Sequence, residues 1–249
     1  MCKRLICLVV PVLLLASAAG AARVDWTGGG TDLLWSNPNN WRGNKVPTAN
    51  DEVYVDVPAA ADPDGPVVEE GIHAKALGLA CEAAGEPMMT MTGGTLEISD
   101  WIWWGDGQDC HGTFHMSGGT VTVENEHELG WGGGTGTWIM NGGTVTAGEL
   151  IIPTNSGAAG QLYLHGGTYN VGSDGLSMTA TGLIDITEGT LILEGDRTME
   201  VRGYIDGGQI TAYDGLGYFE LDFNERNPET TTLTAVPIGD KANQPNPED

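Results

Sequence analysis

Met116 to Leu150 reads "MSGGTVTVENEHELGWGGGTGTWIMNGGTVTAGEL", and it states one phrase twice: Met, a polar residue, Gly-Gly-Thr-Val-Thr, then a polar break. The phrase recurs along the chain as "MTMTGGTLEI" (89–98), "FHMSGGTVTV" (114–123), "WIMNGGTVTA" (138–147) and "LYLHGGTYNV" (162–171). Weaker copies follow as "IDITEGTLIL" (184–193) and "GYIDGGQITA" (203–212). Measured at the second glycine position (94, 119, 143, 167, 189, 208), the steps are 25, 24, 24, 22 and 19 residues. Helix-pair repeats need about 33 residues and propeller blades about 40 or more. Within each copy apolar residues alternate with period two, the pattern of a strand. Glycine at a fixed place between two short strands marks a sharp bend, where it accepts backbone angles that other residues resist. Each copy is therefore expected to be one coil of a parallel β-helix, with Gly-Gly at a corner.

Stacking the copies generates columns of side chains. Met91, Met116, Met140, Leu164, Ile186 and Ile205 form one inward column, and Met89, Phe114, Trp138, Leu162 and Ile184 a second. After the corner come Leu96, Val121, Val145, Tyr169, Leu191 and Ile210, then Ile98, Val123, Ala147, Val171 and Leu193. A looser third face holds Ile102, Leu129, Ile151, Leu176 and Met199. The expected fold is all-β: a single-stranded right-handed parallel β-helix, or β-solenoid, of about six coils with N- and C-terminal caps. The expected organisation is a signal peptide over 1–22, an N-terminal cap and lead-in over 23–70 and repeats over 71–212. Closing strands over 213–236 and a disordered tail over 237–249 complete it.

Residues 1–22, "MCKRLICLVVPVLLLASAAGAA", carry Lys3 and Arg4, an apolar run from Leu5 to Leu15 and small residues to Ala22. That is the pattern of a secretory leader, and the run is shorter than the ~20 residues of a membrane span. No second apolar run follows, so the mature chain is expected outside the cell, released or held by a partner. Loss of the leader removes Cys2 and Cys7 and leaves Cys81 and Cys110, for which an oxidising compartment makes a disulfide the default. The formal charge is −24, and removal of Lys3 and Arg4 makes it −26. So acidic a surface repels nucleic acid, anionic lipid and anionic polysaccharide, and favours neutral or cationic partners.

The segment "WTGGGTDLLWSNPNNWRGNKVPTANDEVYV" (26–55) resembles the opening of secreted bacterial β-helix proteins of the autotransporter-passenger and PEP-CTERM-sorted types. "IDITEGTLIL", "GYIDGGQITAYDG" and "FNERNPETTTLTA" are similar to the closing segments of such modules. The resemblance covers most of the mature chain and implies the β-helix architecture. Related modules accompany lectin-like or glycosidase domains in large secreted proteins, and no shared catalytic motif comes with the resemblance.

A polysaccharide lyase needs a strong base, and between Met89 and Ala212 only Arg197 and Arg202 qualify. A glycoside hydrolase needs two carboxylates about 5–9.5 Å apart. The candidates are Asp106 with Asp109, and Glu126 and Glu128 beside Glu124 in "VENEHELG", on the face of the second and third coils; a solvated acidic turn explains them as well. His73, His111, His115, His127 and His165 lack close zinc-ligand spacing. "ADPDG" (61–65) and "GDGQD" (105–109) offer oxygen ligands for a possible structural calcium, though neither matches a full calcium loop, so no cofactor is expected.

"DWIWWGDG" (100–107) alternates so that Trp101 and Trp103 face outward if Ile102 faces in, while Trp131 falls in phase with Trp104, inside or at a corner. Exposed indoles beside carboxylates suit a neutral sugar. The expectation is a secreted structural, adhesive or carbohydrate-contacting module without catalysis. Its partner would be a neutral polysaccharide or a cell-surface or matrix component, contacted through Trp101 and Trp103. End-to-end self-association is possible for an open stack. A glycoside-acting enzyme is the alternative. Ice or mineral contact through the threonine ladders is a third reading, interrupted at Glu97, Asn170 and Ile192.

Overall fold

The structure is a computed structural model that describes residues 21–56 and 65–239. The leader (to residue 20), most of "ADPDG" and the tail from 240 lie outside the described residues. In chain order the strands are β1 (Ala22–Asp25), β2 (Asp51–Tyr54), β3 (Val67–Val68), β4 (His73–Cys81), β5 (Met88–Met91) and β6 (Thr95–Asp106). They continue with β7 (His111–Met116), β8 (Thr120–Trp131), β9 (Thr135–Ile152), β10 (Ala159–Met178), β11 (Gly182–Ile186) and β12 (Thr190–Glu194). Helix α1 (Thr198–Asp206), then β13 (Ile210–Ala212), β14 (Gly217–Phe223) and β15 (Thr230–Pro237), completes the order.

These form a parallel β-solenoid of about six turns with three faces. The first face stacks β3, β5, β7, the start of β9, the start of β10, β11 and β13, all parallel. The second face follows the Gly-Gly corner, with Thr95, Thr120, Thr144, Thr168 and Thr190 in register along its outer surface. The third face stacks β1, β2 and the later halves of β4, β6, β8, β9 and β10. Register shifts such as that between Val123 and Glu126 separate the second face from the third within one long strand.

The two glycines of the corner serve different ends. The second, at 94, 119, 143 and 167, has φ between +69° and +87°. The first has ordinary backbone angles, but a Cβ on Gly142 would sit 2.7 Å from the Ser117 carbonyl oxygen of the coil before it. One turns the chain and the other lets coils approach. Inside, the expected columns are buried, with Phe114 and Trp138 stacked at 3.7 Å between ring centroids.

Three coil assignments differ from the sequence reading. Ile151 faces outward while Leu150 and Ile152 are buried, and Met199 is exposed on α1. The last weak repeat is not a coil of the same kind: Gly203–Asp206 is helical, and Ile210 stacks on Ile184 rather than on Leu191. The N-terminal segment is itself coiled, since β1 pairs with β2 and β2 with β4 in the parallel sense of the repeats. Its loop is filled by Trp26, Trp35 and Trp41, packed edge to face at 5.0 and 4.8 Å, with the Trp41 indole donating to the Trp35 carbonyl. Ala22, the last residue of the expected leader, already pairs with Asp51. At the other end α1 stands where a third-face strand would continue, β15 pairs antiparallel with β12, and β14 pairs antiparallel with β15. No helix among the described residues is long and apolar enough to cross a membrane.

Candidate functional site

The third face carries the candidate site, and "VENEHELG" decides its shape. This segment is not a solvated turn. It is the part of β8 in which Glu126, His127 and Glu128 pair with Trp101, Ile102 and Trp103 of β6. Alternation sends His127 inward and both glutamates outward. Trp101, Glu126 and Glu149 thus form one outward column, and Trp103, Glu128 and Ile151 the next.

Trp101 and Trp103 stack with centroids 4.1 Å apart and planes 17° apart, and both are half-buried. Trp101 lies over Gly78, where a Cβ would meet its ring at 2.4 Å. Trp103 donates its indole N–H to Glu126 Oε1 at 2.7 Å. Trp131 is neither inside nor in phase with Trp104: Leu129 takes that place, and Trp131, paired with Asp106, is 47% exposed. Trp103, Glu126, Glu128, Trp131, Ile151 and Thr154 enclose a cleft of about 280 Å³.

The two glutamates differ in environment. Glu128 is only 4% exposed and accepts from both the backbone N–H (3.2 Å) and the hydroxyl of Thr154. Burial above all, opposed by the two Thr154 bonds and aided by Glu126 as a charge and a hydrogen-bonding neighbour, raises its pKa to about 7. Glu149 is raised as well, by burial and then by Glu126 and Asp174.

The other candidate carboxylates are not brought into the cleft. Asp106 is buried at its edge, raised by desolvation and then by Glu82 and Asp56 on the N-terminal side. Asp109 sits in an exposed turn at φ +63°. Among the described residues no group of three or more His, Cys, Asp or Glu side chains is placed to hold a metal ion. Cys81 and Cys110 are neighbours in the core but separate thiols, with sulfurs 3.7 Å apart against about 2.05 Å in a disulfide.

Behind the cleft wall, His127 is fully buried between Trp138 and Tyr169, with Nδ1 2.5 Å from the Tyr169 hydroxyl and Nε2 without a hydrogen-bond partner. Burial lowers its pKa to about 3, so the ring is neutral. Sequence reasoning found Trp103, Glu126 and Glu128 but missed Trp131, Ile151 and Thr154 as lining residues. The available signal was the register itself, since W-I-W on one coil faces E-H-E on the next. A scan against family models, a search of curated proteins and a search of solved structures each return no match for this chain.

Proposed function

We propose that this β-solenoid is a non-catalytic carbohydrate-contacting module acting outside the cell, and that its contact site is the cleft of Trp103, Trp131, Glu126 and Glu128. The observation that carries the reading is an exposed indole, Trp131, beside a half-buried indole and two carboxyls in one apolar-lined cleft on a rigid face. A sugar presents axial C–H groups to an indole and hydroxyl donors to a carboxylate, so this pairing of surfaces is complementary to it. The acidic surface narrows the class to sugars without negative charge. Strand positions hold the side chains in place, which limits the entropy lost on binding. The resemblance to secreted β-helix modules agrees with a structural or adhesive setting for such contact.

Titration of the chain against uncharged and cationic oligosaccharides, followed by the fluorescence of its tryptophans, tests this. Binding is expected, and Trp131→Ala is expected to weaken it about tenfold or more, the ~1.4 kcal/mol or so of a lost stacking contact. A panel with no saturable response rejects the reading. The proton that Glu128 holds to about 7 favours a second reading, a glycosidase with Glu128 as general acid. Release of reducing ends by the native chain and its loss in Glu128→Gln would establish that one instead.

A further inference from the structure

We infer that the carbohydrate taken by the Trp103–Trp131 cleft bears a free ammonium group, so that its ligand class is an amino sugar, met as an oligomer of glucosamine. This rests on the carbohydrate reading above and narrows it. The charge balance of the cleft is the starting point. Glu126 and Glu128 both line the cleft from outward positions two residues apart on β8 and interact electrostatically, and Glu149 extends the Glu126 column toward Asp174. No Lys or Arg occurs between Lys75 and Arg197, and the whole cleft is built from residues inside that interval.

The bases that flank the interval are engaged elsewhere. Arg23 binds Asp25, Asp56 and Glu82, and Lys75 binds Glu97. Arg197, over Gly175 at the far end of the column, bonds to Glu200 and the Ser173 carbonyl. Among the described residues no ion pair joins either carboxyl to a basic side chain. Two like charges close together under partial burial repel, and the protein answers by keeping a proton on Glu128.

An ammonium ion in the cleft resolves that repulsion, because both carboxyls then ionise against it. The walls suit it equally. Indole faces attract cations by about 0.5–2 kcal/mol, more as water is excluded, and Trp103 and Trp131 both line the space. A neutral sugar gains the stacking and donates hydroxyls to the acids, but brings no positive charge between them. A bare ammonium gains the charge but leaves most of the ~280 Å³ and the exposed Trp131 face empty. A sugar ring carrying –NH₃⁺ satisfies both parts. Its binding displaces the shared proton, so proton release accompanies it.

Calorimetric titration of the full chain near pH 6 with four probes decides the matter: a glucosamine tetramer, its N-acetylated counterpart, a glucose tetramer and methylammonium chloride. The glucosamine tetramer is expected to bind at least about tenfold more tightly than the N-acetylated one. That preference is expected to shrink in 0.5 M salt, and the enthalpy to vary with the ionisation enthalpy of the buffer. The isosteric double variant Glu126→Gln, Glu128→Gln is expected to lose the preference and keep the weaker binding of the acetylated sugar. Equal affinity for amino and acetylated oligomers overturns the ammonium inference and leaves the carbohydrate reading standing. Methylammonium binding as tightly as the tetramer overturns the sugar half of it. Silence from all four probes removes the carbohydrate reading itself.

Discussion

His127 and Glu128 are adjacent in sequence, point to opposite sides of one strand and pull stability in opposite directions with pH. The folded state holds the Glu128 proton to about 7, whereas an unperturbed glutamate loses it near 4.5. Between those values the folded chain binds the extra proton, so the stability from this group is full below 4.5 and falls as pH rises toward 7. His127 has its folded pKa at about 3 against 6.5, so the unfolded chain binds the extra proton in that window. Its contribution is full above 6.5 and falls as pH drops toward 3. From about 4.5 to 6.5 the two slopes offset, and the native chain is expected to show a shallow urea-midpoint profile there. Glu128→Gln removes one slope only. It is expected to expose a stability that rises with pH by up to ~1.4 kcal/mol per unit across that interval, and to stabilise the protein near neutrality. A profile unchanged by the substitution would show that Glu128 does not hold its proton in the folded state.

At the scale of the coil, the corner glycines set how far a repeat tolerates change. Gly119 has φ +86°, and a Cβ there would meet the Met91 methyl at 2.6 Å and the Gly93 backbone at 2.7 Å. Gly43 has nearly the same φ, +82°, and open space around it. Gly43→Ala is therefore expected to cost about 1 kcal/mol from the backbone alone, and Gly119→Ala about 2–4 kcal/mol because steric overlap adds to it. Urea midpoints for the two variants measure the difference, and equal losses would show that the corner relaxes freely.

These corners are also why so much of the fold was legible. A glycine required at the same place in each coil leaves a mark that composition does not blur, and the columns from Met91 to Leu164 follow from it. The copy at the C-terminal end turns by other means and was misread. In the C-terminal copy "GYIDGGQITA", Gly-Gly ends a helix rather than turning a corner. The helical signal was present in Val201, Tyr204 and Ile205 at i, i+3 and i+4, which pack toward the core. Asp196, accepting from the Thr198 N–H and hydroxyl, marks its start. In the site, Glu126 and Glu128 were visible as acids, and the constant 25-residue offset from β6 to β8 already sets them opposite Trp101 and Trp103; what no local pattern announces is the register shift after Val123 that brings Ile151 beside Glu128. The same offset puts Trp131 opposite Asp106, which corrects its expected place in phase with Trp104, inside or at a corner.

For the molecule as a whole, the question raised by a stack of parallel coils is what stops it growing. Every coil offers the N–H and C=O groups of its edge to the next, and an uncovered edge pairs with another chain. Here the second face ends where β15 runs antiparallel along β12, from Thr190 opposite Thr234 to Glu194 opposite Thr230, and buries Leu233 against the core. Beyond it, β14 presents Glu220 and Asp222, both held by Arg226, so the outermost strand carries charge along its length. The antiparallel pair covers the β12 edge, and the acids of β14 oppose pairing of its own free edge with a second molecule. A chain ending after Ala212 loses both. Its β12 edge is bare, and Leu191 and Leu193 lose the strand that closes the stack over them. Such a chain is expected to keep the far-ultraviolet signature of its coils and to sediment as dimers or larger species at concentrations where the full-length chain sediments as one. Truncated chains that stay folded and single would mean that α1 and β13 close the stack unaided, and that the antiparallel pair serves another purpose.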